Sequence, residues 1–97
     1  MKHINWNSEK SRQLKAVRGI GFEEVVFLIE QNLIIDDIVH PDRAKYPNQR
    51  IYVLEIQEYI YLVPYVESKE GIFLKTIIPS RKATRDYLKR GNNNGTR

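Results

Sequence analysis

Between residues 33 and 78 the chain contains four runs rich in β-branched and aromatic residues, separated by short polar or proline-containing stretches. Such runs predict strands, here over residues 33–39, 50–57, 59–66 and 72–78. Short connections between consecutive strands predict antiparallel pairing. The third run is apolar on both faces, as expected of a central strand. Pro64 within it removes one ladder hydrogen bond, which predicts a bulge at that point.

Helical patterns flank this β-rich region. Asn7 is a favourable N-cap and Gly19 a favourable helix end, so a helix is predicted over about residues 8–18, with Leu14 and Val17 on one face. Apolar residues at 22, 25, 26 and 29 follow the i, i+3, i+4, i+7 spacing of a second amphipathic helix. Ser80 is expected to cap a third helix over about residues 81–90.

This order of elements predicts an α+β domain. We expect an antiparallel sheet of four to five strands, the fifth being an edge strand at residues 4–6, with two N-terminal helices and one C-terminal helix packed on one face. The length of 97 residues suits one domain, predicted over residues 1–91. Residues 92–97 contain no apolar side chain and are predicted to form a disordered tail.

Composition excludes several kinds of chemistry. The chain contains no cysteine, which excludes disulfides, thiolate nucleophiles and zinc–thiolate sites. No apolar run is long enough for a secretory signal or a membrane span, so a cytoplasmic protein without a membrane partner is expected. Asp36 and Asp37 precede His40, but adjacent residues of a strand point to opposite faces. No metal site and no cofactor are therefore predicted.

Charge is distributed unevenly along the chain. Residues 1–21 contain five Lys and Arg against one Glu, residues 22–74 contain four against ten acids, and residues 75–97 contain seven against one Asp, for a net charge of +4. If both basic ends share one face of the fold, that face will attract a polyanion. A solvated surface with scattered lysines is the alternative.

The end of the last strand concentrates positive charge. Arg81 and Lys82 directly follow Ser80 at a predicted helix start, where the helix dipole disfavours cations. A bound anion would remove that cost, so a phosphate-binding site is predicted here. The alternative is a surface turn whose charges point away from each other.

Three motifs resemble those of the BrnT toxins. Ser-Arg-Lys-Ala-Thr at residues 80–84, followed by Arg85 and Tyr87, is similar to the run that opens the last helix of that family. Trp-Asn-Ser-Glu-Lys at residues 6–10 is similar to the family's start, and residues 17–25 are similar to its Lys-His-Gly and Phe-Glu-Glu-Ala stretch. The resemblance covers about residues 6–88 and is weakest in the middle of the chain.

The resemblance implies a RelE-like fold and a metal-independent ribonuclease that cleaves mRNA and halts translation. It also implies a ribbon-helix-helix antitoxin as partner, in a hetero-oligomer. One position departs from the family pattern, because Arg18 stands where the family has histidine. Arginine stays protonated and cannot act as a proton shuttle, although it can hold a phosphate.

RNA cleavage by its own 2′-hydroxyl group needs a general base, a general acid and donors for the charge on phosphorus. Arg18, Arg81, Lys82 and Arg85 are the candidate donors. His40 is the candidate base or acid, because of the two histidines it lies away from the chain terminus. A lysine whose pKa is lowered by neighbouring cations, at position 15 or 82, is the alternative.

Further RNA contacts are expected from basic and aromatic side chains. Lys10 and Lys15 lie on the first predicted helix, and Arg85 lies on the last. Tyr65 is nearest the expected active end of the sheet and can stack on a base if its ring is exposed. The alternative is that this tyrosine, like Tyr52, Tyr59 and Tyr61, packs within the sheet.

Two other functions remain open on the sequence alone. A basic domain can bind RNA, the ribosome or a partner without catalysing a reaction, and Arg18 in place of histidine keeps that alternative open. A plain interaction protein, whose basic face docks an acidic antitoxin segment, is the other.

Overall fold

The computed structural model describes residues 3–89, and within this range the chain forms six strands and three α-helices. In chain order the elements are β1 (Ile4–Trp6), α1 (Ser8–Arg18), α2 (Phe22–Glu30), β2 (Asp36–Val39), β3 (Gln49–Ile56), β4 (Tyr59–Ser68), β5 (Gly71–Leu74), β6 (Ile78–Pro79) and α3 (Arg81–Thr84), which continues as a π-helical segment, Arg85–Lys89. The predicted α+β class is confirmed. The end of the predicted third helix at position 90 and the predicted tail lie outside the described residues.

The first helix has the predicted boundaries because both of its ends are specified locally. The Asn7 side chain accepts a hydrogen bond from the backbone N–H of Lys10 at 2.9 Å. Gly19 adopts a left-handed conformation with φ of 78°, and its N–H donates to the carbonyl of Lys15. Leu14 is buried as predicted, but Val17 is 81% exposed. The buried face of α1 instead contains Ser11 and Leu14.

The sheet has the order β1-β5-β4-β3-β2, with β6 pairing β4 beside β5. β2 to β6 pair antiparallel, as predicted, but β1 runs parallel to β5. The sheet is therefore mixed and has six strands within the described range, so the prediction of a wholly antiparallel sheet of four to five strands is wrong. Two helices separate β1 from the following strands, and such a crossover permits a parallel neighbour.

The bulge predicted within the third run at Pro64 is not found there, because β4 pairs with β3 without interruption through Ile51 and Pro64. An extra residue lies instead on the neighbouring strand. The N–H of Lys75 donates to the carbonyl of Pro64 at 2.8 Å, but the proline has no N–H to return the bond. β5 ends here, and three residues, 75–77, face two residues of β4 before β6 resumes the pairing at Ile78 and Leu62. The single strand predicted over residues 72–78 is consequently divided in two.

The main core lies between the sheet and helices α1 and α2. Alternate residues of β3, β4 and β5 contribute Tyr52, Leu54, Val63 and Leu74 to one face, which we call the core face. Phe22 of α2 is fully buried against it. Packing of the first two helices on one face of the sheet is thus confirmed.

The third helix packs on the other face, which we call the back face. Ile51, Val53 and Ile60 are buried there, outside the main core cluster. Ala83 and the π-helical segment lie beside back-face residues of β2, β3 and β4. The prediction that all three helices pack on one face is therefore wrong, because both faces of the central strands are apolar and each needs cover. No helix within residues 3–89 is long and apolar enough to cross a membrane.

Candidate nucleic-acid interface

The start of α3 is fixed to the sheet by backbone and hydroxyl hydrogen bonds. The Ser80 hydroxyl accepts from the N–H of Ala83 at 3.0 Å, as the sequence predicts for an N-cap. The Thr84 hydroxyl donates to the carbonyl of Ser80 at 2.7 Å and accepts from the N–H of Ile60 on β4 at 2.9 Å. These bonds hold the basic residues of the helix in a defined place beside β4.

Arg81, Lys82 and Arg85 are all exposed on this helix. Lys82 forms an ion pair with Asp86, with Nζ 3.2 Å from the carboxylate oxygen. Among residues 3–89, neither Arg81 nor Arg85 forms an ion pair. Positions four apart lie on the same side of a helix, so these two guanidinium groups are available together to an anion.

The π-helical segment after α3 is tied to the edge strand β2. The Tyr87 hydroxyl donates to the Asp36 carboxylate at 2.9 Å. Asp36 and Tyr87 are 51 positions apart in sequence, so this bond joins two distant parts of the chain. The family resemblance singled out Tyr87, but only the structure shows this contact with β2.

On the opposite side of the molecule, α1 presents its own cations. Lys10 and Arg18 are exposed and form no ion pair among the residues that the structure describes. Lys15 forms an ion pair with Glu24 of α2. Partial burial acts to raise the pKa of Glu24, but the hydrogen bonds from Lys15 and from the N–H of Gly21 outweigh it and hold that pKa below its ordinary value. Lys15 is therefore engaged by a carboxylate of α2.

The structure does not bring Arg18 and Arg81 into one pocket. α1 packs on the core face through Leu14, whereas α3 packs on the back face through Ala83. The sheet lies between the two helices, so the expectation that both basic ends share one face is corrected here. Each face has its own basic helix because both faces of the sheet are apolar and each is buried by a helix.

His40 lies far from Arg81 along the sheet. The N–H of His40 donates to the carbonyl of Gln49 at the start of β3. The N–H of Ser80 donates to the carbonyl of Ile60 on β4, which lies opposite the end of β3. At about 3.4 Å per residue these positions are roughly 20 Å apart. His40 and Arg81 were predicted to act in one catalytic site, and the structure places them at opposite ends of the sheet.

His40 belongs instead to an aromatic and basic loop, residues 40–48. Its Nδ1 accepts a hydrogen bond from the N–H of Asp42 at 3.1 Å, so in the neutral ring the proton is on Nε2. The ring packs against Tyr46 with centroids 4.5 Å apart, and the ammonium of Lys45 lies 5.3 Å from the Tyr46 ring. Our sequence analysis missed Lys45 and Tyr46, although an aromatic residue beside cations in a loop bounded by prolines was visible.

Tyr65 cannot serve as the base-stacking residue that the sequence suggested. It is 2% exposed, and its ring stacks on Tyr52 with centroids 4.0 Å apart. Burial first, and then the hydrogen bond donated to Asp37, raise the pKa of Tyr65 above its ordinary value. The alternative interpretation, in which the tyrosines pack within the sheet, is correct for Tyr65 and Tyr52.

Asp36 and Asp37 point to opposite faces of β2, as predicted. Asp36 accepts from Tyr87 on the back face and Asp37 from Tyr65 on the core face. Within residues 3–89 no group of three or more histidine and carboxylate side chains is placed to hold a metal ion.

Fold and charge together define an α+β domain with a mixed sheet, a basic helix on each face and an aromatic loop at one end. Comparison of the chain with protein-family models, with curated proteins and with solved structures found no match in any of the three.

Proposed function

We propose that this protein is a RelE-like toxin that binds RNA through α3, cleaves mRNA without a metal ion and is neutralised by a ribbon-helix-helix antitoxin. The observation that carries the proposal is the pair Arg81 and Arg85, exposed four positions apart on a helix anchored by Thr84. Two guanidinium groups on one side of a helix suit the oxygens of a phosphodiester. The same residues belong to one of the three motifs that carry the family resemblance.

The order of elements is consistent with this proposal. A strand and two helices precede an antiparallel meander, and a C-terminal helix follows it, which is the order of elements that the sequence predicts. The antitoxin, bound in a hetero-oligomer in the cytoplasm, would cover the basic helix and exclude RNA from it.

In the proposed reaction the RNA 2′-hydroxyl gives its proton to water and its oxygen bonds to the adjacent phosphorus, forming a 2′,3′-cyclic phosphate. The bond from phosphorus to the 5′ oxygen breaks, and that oxygen takes a proton from water. Arg81 and Arg85 stabilise the negative charge that develops on the phosphoryl oxygens, a contribution that commonly accelerates such steps about 10²–10³-fold. Lys82 is held by Asp86 beside them. His40, at the other end of the sheet, would contact a distant part of the same RNA and not the phosphodiester that is cleaved.

A second function is favoured by that same separation. Because His40 is about 20 Å from the start of α3 along the sheet, the helix has no neutral imidazole beside it to move a proton. A non-catalytic module that binds RNA or a partner through α3 needs no such group.

One experiment separates these functions. Purified protein is incubated with RNA in EDTA, and both RNA binding and the formation of 2′,3′-cyclic phosphate ends are measured for the wild type, Arg81→Ala and Lys69→Ala. Lys69 is exposed in the β4–β5 turn, so its variant removes the same charge elsewhere.

A ribonuclease produces cyclic phosphate ends that Arg81→Ala abolishes and Lys69→Ala retains. Binding that depends on Arg81 without cleavage identifies the non-catalytic module. Equal behaviour of the two variants shows that α3 is not the RNA site. In cells, growth arrest on induction should be relieved by a co-expressed ribbon-helix-helix antitoxin.

A further inference from the structure

An apolar groove with an acidic wall lies between α2 and the turn of the β3–β4 hairpin. Its volume is about 450 Å³. Its lining residues are Glu23, Glu24, Phe27, Leu28, Glu55, Ile56 and Gln57. No lysine or arginine is among these lining residues, although the chain as a whole carries a charge of +4.

The helical wall of the groove alternates carboxylates with apolar side chains. Glu23 and Glu24 lie one turn before Phe27 and Leu28, and residues four apart are neighbours on a helix surface. Phe27 is 58% exposed, while Leu28 is partly buried against the core. An exposed phenylalanine beside a concave apolar surface is typical of a protein-binding site.

The acidic residues are held in place by other parts of the chain. Glu23 accepts a hydrogen bond from the Ser11 hydroxyl at 3.0 Å. Glu24 accepts from the N–H of Gly21 at 2.8 Å and pairs with Lys15. The carboxylates on α2 are thus ordered before any partner arrives, which lowers the entropic cost of binding.

We propose that this groove binds a basic amphipathic helix of a partner protein. A volume of this size accommodates two or three large apolar side chains, which a helix presents at i, i+3 and i+4. Lysine or arginine residues that flank them would face Glu23, Glu24 and Glu55. This inference goes beyond the proposed function and does not depend on RNA cleavage.

Charge decides between this occupant and RNA. The groove wall carries three glutamates and the paired Lys15 neutralises one of them, so a phosphodiester backbone is repelled.

The probe for this site is a synthetic amphipathic helical peptide of leucine, alanine and lysine. The control peptide carries glutamate in place of lysine. Binding of each labelled peptide to the full chain is measured by fluorescence anisotropy at low and at physiological salt. We expect the lysine peptide to bind more weakly as salt rises, and the glutamate peptide not to bind.

Two groove variants and one control locate the site. Phe27→Ala removes the exposed ring and Glu55→Lys reverses one charge, and each should weaken binding of the lysine peptide by roughly tenfold. Phe73→Ala is the control, because Phe73 is 38% exposed on the back face of β5. Peptide-induced changes in amide chemical shifts should centre on α2 and residues 55–57.

Three results would overturn the inference. The first is equal binding of the two peptides. The second is equal loss of binding in Phe27→Ala and Phe73→Ala. The third is that the wild-type protein is a dimer in the absence of peptide and that Phe27→Ala makes it a monomer. The groove would then be occupied by a second copy of this chain.

Discussion

The Tyr65 hydroxyl lies 2.8 Å from both carboxylate oxygens of Asp37 and donates its proton to that group. Arg50 approaches the same aspartate, with Nε 3.1 Å from Oδ1 and Nη2 2.8 Å from the carbonyl oxygen. One aspartate thus joins β2, β3 and β4 on the core face. These hydrogen bonds hold the short edge strand β2 against β3 and β4. The loop that contains His40 follows directly after β2.

Removal of this hydroxyl should destabilise the protein. In Tyr65→Phe the charge-assisted bond to Asp37 is lost, and we expect the free energy of unfolding to fall by about 1–2 kcal/mol, at the low end because Asp37 is partly solvated. Tyr61→Phe is the control, since the Tyr61 hydroxyl forms no hydrogen bond within residues 3–89, and it should change stability by less than about 0.5 kcal/mol. Urea denaturation measures both, and equal effects would contradict a role for the Asp37 bond.

Stability should decrease in alkaline solution. Burial and the bond to Asp37 raise the pKa of Tyr65, and burial raises the pKa of Tyr52. Unfolded tyrosine ionises near pH 10, so this contribution to stability is complete below about pH 10 and is lost as the pH rises above it. Each tyrosine contributes a slope of up to about 1.4 kcal/mol per pH unit.

Urea denaturation at about pH 9 and about pH 11, on either side of the tyrosine pKa, measures this loss. The loss should be smaller in Tyr65→Phe than in the wild type. An identical pH dependence of the two proteins would show that Tyr65 ionises normally in the folded state.

The contact between β1 and β5 should not tolerate a side chain at Gly71. This glycine has φ of +132°, and a Cβ atom there would lie 2.2 Å from the carbonyl oxygen of His3. That oxygen accepts the N–H of Ile72, so the parallel pairing would have to separate. We expect Gly71→Ala to cost about 2–4 kcal/mol.

Gly19→Ala is the matched control for this substitution. Gly19 also has a positive φ, but no atom lies within 4 Å of a Cβ built there. Its cost should be about 1–2 kcal/mol, from backbone strain alone. Hydrogen exchange should accelerate at the Ile72 amide in Gly71→Ala and not in Gly19→Ala.

The position of α3 should matter for RNA binding as well as its charge. Thr84→Val leaves the charge unchanged but leaves the N–H of Ile60 without its partner, at a cost of about 1–3 kcal/mol. We expect RNA binding to weaken several-fold. Thr76→Val is the control, because the Thr76 hydroxyl forms no hydrogen bond within the described range. Unchanged RNA binding in a folded Thr84→Val protein would show that the anchor does not position Arg81.

Local signals in the sequence were sufficient for the elements whose ends are set locally. α1 has the predicted range because Asn7 and Gly19 cap it. The opposite directions of Asp36 and Asp37 follow from the alternation of side chains along a strand.

The candidate site depends on longer-range packing, and the sequence misassigned part of it. Arg18, His40 and Arg81 have the residue types that phosphate chemistry needs. The sheet lies between Arg18 and Arg81, and His40 lies at the opposite end of the sheet from Arg81. Tyr65 looked available for RNA and is buried. No local pattern encodes which apolar face each helix covers.

Residues close together in the chain were enough to specify the α+β class, the helix caps and the basic character of α3. The tertiary structure alone decided that β1 runs parallel to β5, that helices cover both faces, and that Phe27 remains exposed above an acidic groove. Those outcomes depend on which of several similar apolar surfaces pack together, and that choice minimises exposed area over the whole chain.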